Sequence, residues 1–394
     1  MRIVVTGLVA QYPLAGVTWD YVQYPMGLRA LGHEVTYLED SRCWPYDPAT
    51  DAVTRDPEPN VRYLAAVMAR IGLAHDWCYR IDLEGGGERY YGLSETELRA
   101  RLAACDLFLN VSGACFVEDR HRTARLRVYI DSDPVFTQLL VAVGEPQKEA
   151  PWTMRANLDA HQVHFSFGER LGAPDCPIPT GPYRWRPTRQ PIVLDAWPVA
   201  PPPPADAPWT TVMNWSSYGT VEYAGRRYGQ KDVSFERILD LPRQCPEERF
   251  EPAIAGGWQT RRPDARLAAH GWRLADARAV SSDAGRYQAF IAASKGEFSI
   301  AKAGYVEGRS GWFSCRSACY LASGRPCVLE DTGFSEVLPT GVGLLPFGDL
   351  PGAVEGVRAV ARDWARHARA ARRLAEAEFD ARLVLARLLA EATA

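Results

Sequence analysis

The sequence predicts an α/β protein made of two domains, each built on an open parallel sheet. Its 394 residues exceed one ordinary hydrophobic core and suit two domains of about 150–200 residues. Short β-branched runs alternate with helical segments in both halves, which is the pattern of βαβ units. The prolines at 201–204 separate the halves, because such a run fits neither a helix nor a central strand. We therefore expect domains at 1–197 and 209–365, a linker at 198–208 and a helical segment at 366–394.

The first domain begins with a βαβ unit. Residues 2–7 are a β-branched run that ends in glycine, as in a buried parallel strand. A loop containing Gly16 and several aromatic residues is expected next, followed by a helix that Gly32 can end in the left-handed conformation. Residues 33–38 have the pattern of the second strand. Further strands are predicted at 106–111, 127–130 and 164–167.

Several polar residues should gather at one edge of this sheet. Open parallel α/β sheets bind ligands at the carboxyl ends of their strands. In the first domain those ends would carry Gly7, Asn110, Ser112, Asp131 and Asp133. The edge is therefore the predicted location of a binding site.

The second domain repeats the alternation of strand and helix. Strands are predicted at 209–213, 250–254, 297–301 and 326–329. Helices are predicted at 234–239, 287–294 and 312–322. From about residue 351 the chain is rich in Ala, Arg and Leu with little turn signal, which indicates a helical carboxyl end.

Composition excludes several classes of partner. The net charge of −3 provides no basic field, so neither nucleic acid nor an anionic membrane is expected to bind. No apolar stretch is long enough to span a bilayer, and the amino terminus has the pattern of a strand rather than of a signal peptide. Nine cysteines without paired spacing favour reduced thiols and hence a cytoplasmic location. Nothing in the sequence indicates the oligomeric state.

The segment around residues 308–332 is the predicted phosphate and sugar site. Gly308 and Gly311 let the backbone approach an anion, and a helix predicted from Trp312 offers unpaired amides and a positive dipole end. Arg309 can add a forked, permanently charged donor. Carboxylates at the end of the following strand can accept hydrogen bonds from sugar hydroxyls. The predicted donor-binding residues are Asn214, Ser216, Lys231, Arg309, Ser310, Gly311, Trp312, Ser314, Glu330, Asp331 and Thr332.

This block resembles the donor-binding region of GT-B glycosyltransferases. The order is similar: a glycine turn, a helix, Ala-Ser-Gly-Arg-Pro at 322–326, then a strand with an acidic tip. Gly-Tyr at 304–305 and the stretch 309–317 also look like a poorly characterised bacterial glycosyltransferase-like branch. The resemblance implies two Rossmann-like domains facing a cleft, with the nucleotide sugar on the second and a final helix crossing back to the first.

The resemblance also implies an activity. It implies transfer of a sugar from a nucleoside-diphosphate sugar to a small-molecule or glycan acceptor, with no cofactor beyond that co-substrate. Retaining members usually carry two glutamates separated by seven residues, and neither Glu297 nor Glu307 has such a partner. This departure favours an inverting mechanism or a branch with its own donor contacts. Arg309 and a helix start would serve the diphosphate, so no essential metal is expected.

Two alternatives to a glycosyltransferase remain at the sequence level. A Rossmann-type oxidoreductase would need Gly-x-Gly-x-x-Gly after the first strand, but after Gly7 the next glycine is Gly16. A homologue of the same architecture that does not transfer sugars, such as an epimerase-like enzyme or a binding subunit, is the other.

The candidate catalytic bases are carboxylates of the first domain. Inverting transfer needs a group that takes the acceptor proton. Asp20 follows the first strand and is either that base or the cap of the next helix. Asp131 is the next candidate. Trp19, Asp133 and His164 are predicted to contact the acceptor.

Two aromatic-rich segments of the first domain, 40–60 and 76–92, are predicted to be acceptor loops. Their aromatic residues suit either a flat apolar molecule or stacking on a sugar. The acceptor therefore stays open between these classes.

Overall fold

The computed structural model describes residues 1–149, 152–256 and 260–394, and these residues form two α/β domains. The first contains an eight-stranded sheet in the order β10-β9-β8-β7-β1-β2-β5-β6, parallel except for β6. β3 and β4 form a separate two-stranded ribbon. The strands are β1 (Arg2–Thr6), β2 (Glu34–Glu39), β3 (Tyr46–Asp47), β4 (Ala52–Val53), β5 (Trp77–Asp82), β6 (Glu88–Gly92), β7 (Leu107–Val111), β8 (Leu126–Asp131), β9 (Val163–Ser166) and β10 (Trp185–Pro187).

Helices cover both faces of this sheet, which is why its central strands are almost continuously apolar and buried. The helices are α1 (Ala15–Ala30), α2 (Glu58–Arg70), α3 (Glu95–Ala103), α4 (Phe136–Val143) and α5 (Met154–Asp159).

The second domain has a smaller parallel sheet. Its four strands lie in the order β11-β16-β17-β18, β12 pairs with β15, and β13 and β14 form a hairpin. The strands are β11 (Trp209–Thr210), β12 (Val212–Asn214), β13 (Val221–Tyr223), β14 (Arg226–Tyr228), β15 (Ala253–Ala255), β16 (Gly296–Ser299), β17 (Cys327–Glu330) and β18 (Leu344–Phe347).

Short helices connect these strands, and three longer ones end the chain. They are α6 (Lys231–Phe235), α7 (Leu241–Gln244), α8 (Asp264–Ala269), α9 (Ala277–Ser281), α10 (Ala284–Ala293), α11 (Ala303–Gly308), α12 (Cys315–Ala322), α13 (Leu350–Arg362), α14 (Trp364–Glu378) and α15 (Ala381–Ala392). Among the described residues, no helix is both long and apolar enough to cross a membrane.

Three local predictions were wrong. The loop expected around Gly16 belongs to α1, which begins at Ala15. The predicted acceptor loop at 76–92 is largely the β5–β6 hairpin, and the side chains of Trp77 and Tyr79 are buried in the core. Helix α12 begins at Cys315, three residues later than expected, because residues 309–314 form a non-helical connection after α11.

The last helix crosses back to the first domain, as predicted. Ile192 bridges the chain on both sides of Asp380: its amide donates to the Phe379 carbonyl at 2.7 Å, and its carbonyl accepts from the Ala381 amide at 2.9 Å. Helix α15 packs so closely on α1 that a Cβ atom at Gly27 would lie 2.6 Å from Leu385 Cδ1. The largest hydrophobic cluster therefore contains side chains of both domains, with α1 between them.

Candidate functional site

A cavity of about 390 Å³ lies between the domains, at the carboxyl ends of β1, β7 and β8. Most of its wall comes from the first domain, and two residues after β12 close it from the second. Its lining residues are Leu8, Tyr12, Val17, Asp20, Tyr21, Ser112, Tyr129, Asp131, Ser132, Asp133, Phe136, Thr137, Leu140, Met154, Tyr218 and Val221. Three predicted site residues, Asp20, Asp131 and Asp133, thus lie around one space.

Asp20 presents its carboxylate to this cavity from within α1. The residue before the helix is Leu14, so the interpretation of Asp20 as a helix cap was wrong. Desolvation by the surrounding protein, which disfavours the charged form, raises the pKa of Asp20 to about 6. A hydrogen bond from the Cys315 thiol and the positive charge of Arg316 partly offset this shift. A carboxylate with this pKa is ionised near neutral pH and is still basic enough to take a proton.

Asp131 has a different environment. One of its oxygens accepts hydrogen bonds from Thr137 Oγ1 at 2.7 Å, and the other from Gln138 Nε2 and Ser166 Oγ at 2.8 Å each. The side chain is buried, and burial raises its pKa to about 6 despite these donors. Its oxygens hold the turn between β8 and α4, so they are engaged within the first domain.

Asp133 connects the two domains. Its carboxylate accepts a hydrogen bond from Lys302 Nζ at 3.0 Å and others from the hydroxyls of Tyr218 and Tyr305. Burial lowers the pKa of Lys302, and the nearby Asp133 opposes that shift. Lys302 is not among the predicted site residues, although it is one of four lysines in the chain and directly follows a predicted strand.

Two predicted acceptor residues do not line the cavity. The indole N–H of Trp19 donates to the Ala284 carbonyl at 3.3 Å, and its ring centroid lies 4.8 Å from that of Trp197. His164 Nε2 donates to the Leu158 carbonyl at 2.9 Å, and its ring packs against Tyr183. Both side chains are buried, which corrects the prediction of a direct acceptor contact.

A second, much smaller cavity of about 20 Å³ lies at the ends of β16 and β17. Four predicted donor residues, Trp312, Ser314, Glu330 and Thr332, line it. Glu330 is buried, and burial raises its pKa. Its carboxylate accepts from the Ala301 amide at 3.0 Å and pairs with Arg237 at 2.9 Å.

Arg316, which the sequence analysis did not single out, lines the same small cavity. Its guanidinium pairs with the buried Glu297 and donates to the Val212 carbonyl at 2.9 Å and to Ser299 Oγ at 3.0 Å. The only sequence signal was its position in the Arg-Ser pair that follows the glycine turn. These contacts fix a positive charge in the first turn of α12.

Lys231 is the first residue of α6. Its side-chain amine forms no hydrogen bond or ion pair with any residue in the described part of the chain. Burial, with repulsion from Arg316 and Lys302, holds the pKa of Lys231 well below its usual value. The carboxylates of Glu297 and Asp133 oppose this shift but pair with Arg316 and Lys302 instead, so an anionic ligand could pair directly with the Lys231 amine.

The glycine turn at 308–311 has a different role from the one expected. Arg309 pairs with Asp175 of the first domain at 2.9 Å, with its backbone in the left-handed region at φ 44°. The Arg309 and Ser310 carbonyls accept hydrogen bonds from Arg170 at 3.0 and 2.9 Å. The Gly311 amide donates to the Thr332 carbonyl at 2.9 Å. These contacts dock the domains, and none of the three turn residues lines either cavity.

The remaining predicted donor residues are spread around this edge. Asn214 is exposed at the end of β12, and Ser216 Oγ accepts from the Thr260 amide at 3.2 Å. Asp331 accepts from the Gly333 amide at 2.9 Å and from Ser335 Oγ at 2.6 Å. Its carboxylate therefore organises the local turn after β17.

One group of residues within the described ranges is close enough to be considered for a metal: Asp40, Cys115 and His121. His121 Nδ1 accepts from the Glu118 amide at 3.0 Å, so the proton lies on Nε2, which faces Asp40 Oδ2 at 3.3 Å. The guanidinium of Arg80 also lies 3.0 Å from Asp40. The His121 Nε2–H and the Arg80 guanidinium already face the negative charge of Asp40, so these three side chains do not form a site that suits a metal cation.

Solved structures share the fold of this chain. AviGT4, a glycosyltransferase involved in avilamycin A biosynthesis, is 13% identical with a TM-score of 0.55 over 100% of this chain and 97% of its own. Anabaena Alr3699/HepE, in complex with UDP and glucose, is 11% identical with a TM-score of 0.54 over 99% of both chains. An α-glucosyltransferase in complex with UDP and a 13-mer DNA is 10% identical with a TM-score of 0.55 over 100% and 99%.

These likenesses establish the GT-B fold that the sequence predicted. No protein-family model matches the sequence, and no curated protein matches it. At 10–13% identity the likeness extends to the fold and not to the substrates.

Proposed function

We propose that this chain, which has the GT-B fold, transfers a sugar from a nucleoside-diphosphate sugar to an acceptor hydroxyl. The observation that carries the proposal is the group of Lys231, Arg316 and Lys302 at this edge: Arg316 and Lys302 each pair with a carboxylate, and the amine of Lys231 forms no ion pair with a described residue. A diphosphate would give that amine a direct anionic partner. AviGT4 acts in natural-product biosynthesis, and we propose a biosynthetic role for this chain as well.

The donor diphosphate would lie between Lys231 and the start of α12. Ser314 precedes this helix without capping it through its side chain, so first-turn amides are available to an anion. Arg316 adds a fixed charge in that turn. HepE and the α-glucosyltransferase are both described with UDP, which makes uridine diphosphate the first nucleotide to test.

In this proposal Asp20 acts as the general base. The acceptor oxygen attacks the anomeric carbon while the bond from that carbon to the phosphate oxygen breaks. The acceptor proton passes to Asp20, and the nucleoside diphosphate leaves with the bonding electrons, which the cationic groups stabilise. A single displacement inverts the anomeric configuration. The chain's own cations balance the leaving group, so the proposal needs no metal.

We also propose a cytoplasmic location. All nine cysteines are free thiols, and most are buried. Unpaired thiols are typical of a reducing compartment.

The first prediction tests the donor site with Lys231→Met. Losing a charge-assisted contact should weaken binding of the best of UDP, GDP, dTDP and ADP about 10- to 100-fold. Isothermal titration measures this directly. Lys148→Met is the matched control, because Lys148 is half exposed and pairs with Glu145 in the first domain, outside the donor site. Equal affinities in both variants, or no binding of any nucleotide to the unaltered protein, would overturn the proposal.

A further inference from the structure

The walls of the interdomain cavity are mostly apolar. Leu8, Val17, Leu140 and Met154 face it half-buried from the first domain, and Val221 faces it from the second. Five aromatic side chains complete the lining: Tyr12, Tyr21, Tyr129, Phe136 and Tyr218. Such a surface gains free energy when a ligand of similar polarity covers it.

Most polar side chains in the lining already have a partner within the protein. The Tyr129 hydroxyl donates to Met154 Sδ at 3.4 Å, and the hydroxyls of Ser112 and Ser132 lie 2.5 Å apart. The Tyr21 hydroxyl is hydrogen-bonded to Ser112. Thr137 and Tyr218 donate to Asp131 and Asp133, whose oxygens are occupied as described above.

Two polar side chains are left to meet a ligand. The Tyr12 hydroxyl forms no hydrogen bond with any described residue. The carboxylate of Asp20 faces the cavity, and the Cys315 thiol is its one side-chain hydrogen-bond partner in the described part of the chain. A glycan carries a hydroxyl on nearly every carbon, and each one left unpaired in a cavity costs free energy. This lining can satisfy only one or two hydroxyls.

We propose that the acceptor is a small hydroxyl-bearing molecule with a largely apolar, aromatic body, of the phenol class, and not a glycan. This inference rests on the proposed function and names the acceptor for the same site. The cavity of about 390 Å³ falls in the range of small-molecule sites and suits one or two fused rings. The reacting hydroxyl lies at Asp20, and the ring body lies against the aliphatic and aromatic wall.

The test compares two probes in the absence of nucleotide. We expect 4-methylumbelliferone to bind the full chain with a dissociation constant at least about 10-fold lower than that of maltotriose, measured by isothermal titration. Leu140→Gln places an amide in the apolar wall and should weaken 4-methylumbelliferone binding about 10-fold. Leu383→Gln is the matched control, because Leu383 is exposed on α15, and it should leave the affinity unchanged.

Each outcome decides the proposal. Tighter binding of maltotriose, or equal effects of the two leucine substitutions, would overturn it. No binding of 4-methylumbelliferone, 1-naphthol or 4-nitrophenol below about 1 mM would also overturn it. Thermal unfolding checks that Leu140→Gln still folds, and Leu140→Met should keep the affinity. Failure of the donor site would appear separately, as absent nucleotide binding, so the two proposals can fail independently.

Discussion

The two sides of the interdomain cleft are built from different chemistry. On the first-domain side, rings and aliphatic chains surround three carboxylates, of which Asp131 and Asp133 are occupied by protein donors and Asp20 is largely free. On the second-domain side, Arg316, Lys302 and Lys231 bring three basic groups to the ends of the sheet, and among the described residues only the first two form ion pairs. In our proposal the acceptor is therefore selected by shape and apolar contact, and the donor by its negative charge.

The largest expected effect is the loss of turnover on substitution of Asp20, the proposed base, in comparison with Asp131. Asp20→Asn keeps the size of the side chain but removes the base, so turnover should fall about 10²- to 10⁴-fold. Binding of the nucleoside diphosphate should change less than about twofold, because Asp20 is not part of the donor site in our proposal. Release of nucleoside diphosphate measures the rate, and isothermal titration measures the binding.

Asp131→Asn is the control for this prediction. Asp131 accepts three side-chain hydrogen bonds, so its substitution should lower the free energy of unfolding by about 1–3 kcal/mol and leave most of the turnover. If the two substitutions had exchanged effects, with Asp131 needed for turnover and Asp20 needed only for stability, the assignment of the base would be wrong.

The pH dependence is the next largest effect. Asp20 acts as a base only when ionised, and its pKa is raised to about 6, so kcat/KM should fall about tenfold per pH unit below pH 6 and level off above pH 7. Asp131 has a similarly raised pKa, so the profile alone does not identify the group. The acidic limb should persist in Asp131→Asn and disappear from the residual activity of Asp20→Asn. A limb that vanished only in Asp131→Asn would contradict the assignment.

The same contrast explains what the sequence could predict. Strand–helix alternation predicted the fold, and the rule that ligands bind at strand ends placed Asp131 and Asp133 near one space, which Asp20 of α1 also lines. The sequence could not show that Thr137, Gln138 and Ser166 would donate hydrogen bonds to the Asp131 carboxylate, because these residues belong to other elements, α4 and β9. Whether a carboxylate is free to contact a ligand depends on such hydrogen-bond partners and not on its own residue type.

On the second-domain side, the prediction that Arg309 faces the cleft was wrong. Arg309 stands in a glycine turn with the composition of a phosphate loop, but its left-handed backbone sends the chain toward Asp175. Lys231 and Arg316 belong to separate helices, α6 and α12, and only the tertiary fold brings their charges near each other. A local motif therefore pointed to the sheet edge that carries these basic groups, while the position of each charge depended on tertiary contacts.

The smallest expected effect concerns the contact that joins the two sides. Asp133 and Lys302 belong to different domains, and Lys302 is mostly buried at their bridge. A double-mutant cycle with Asp133→Asn and Lys302→Met should give a coupling energy of about 1–2 kcal/mol in urea unfolding, because a largely enclosed pair is screened less than a surface pair. The exposed pair Glu95–Arg99 on α3 is the matched control and should couple by less than about 0.5 kcal/mol. Equal coupling in the two cycles would mean that the cross-domain bridge does not hold the cleft together, and that docking depends on the apolar contacts of α1 and on the turn at 308–311.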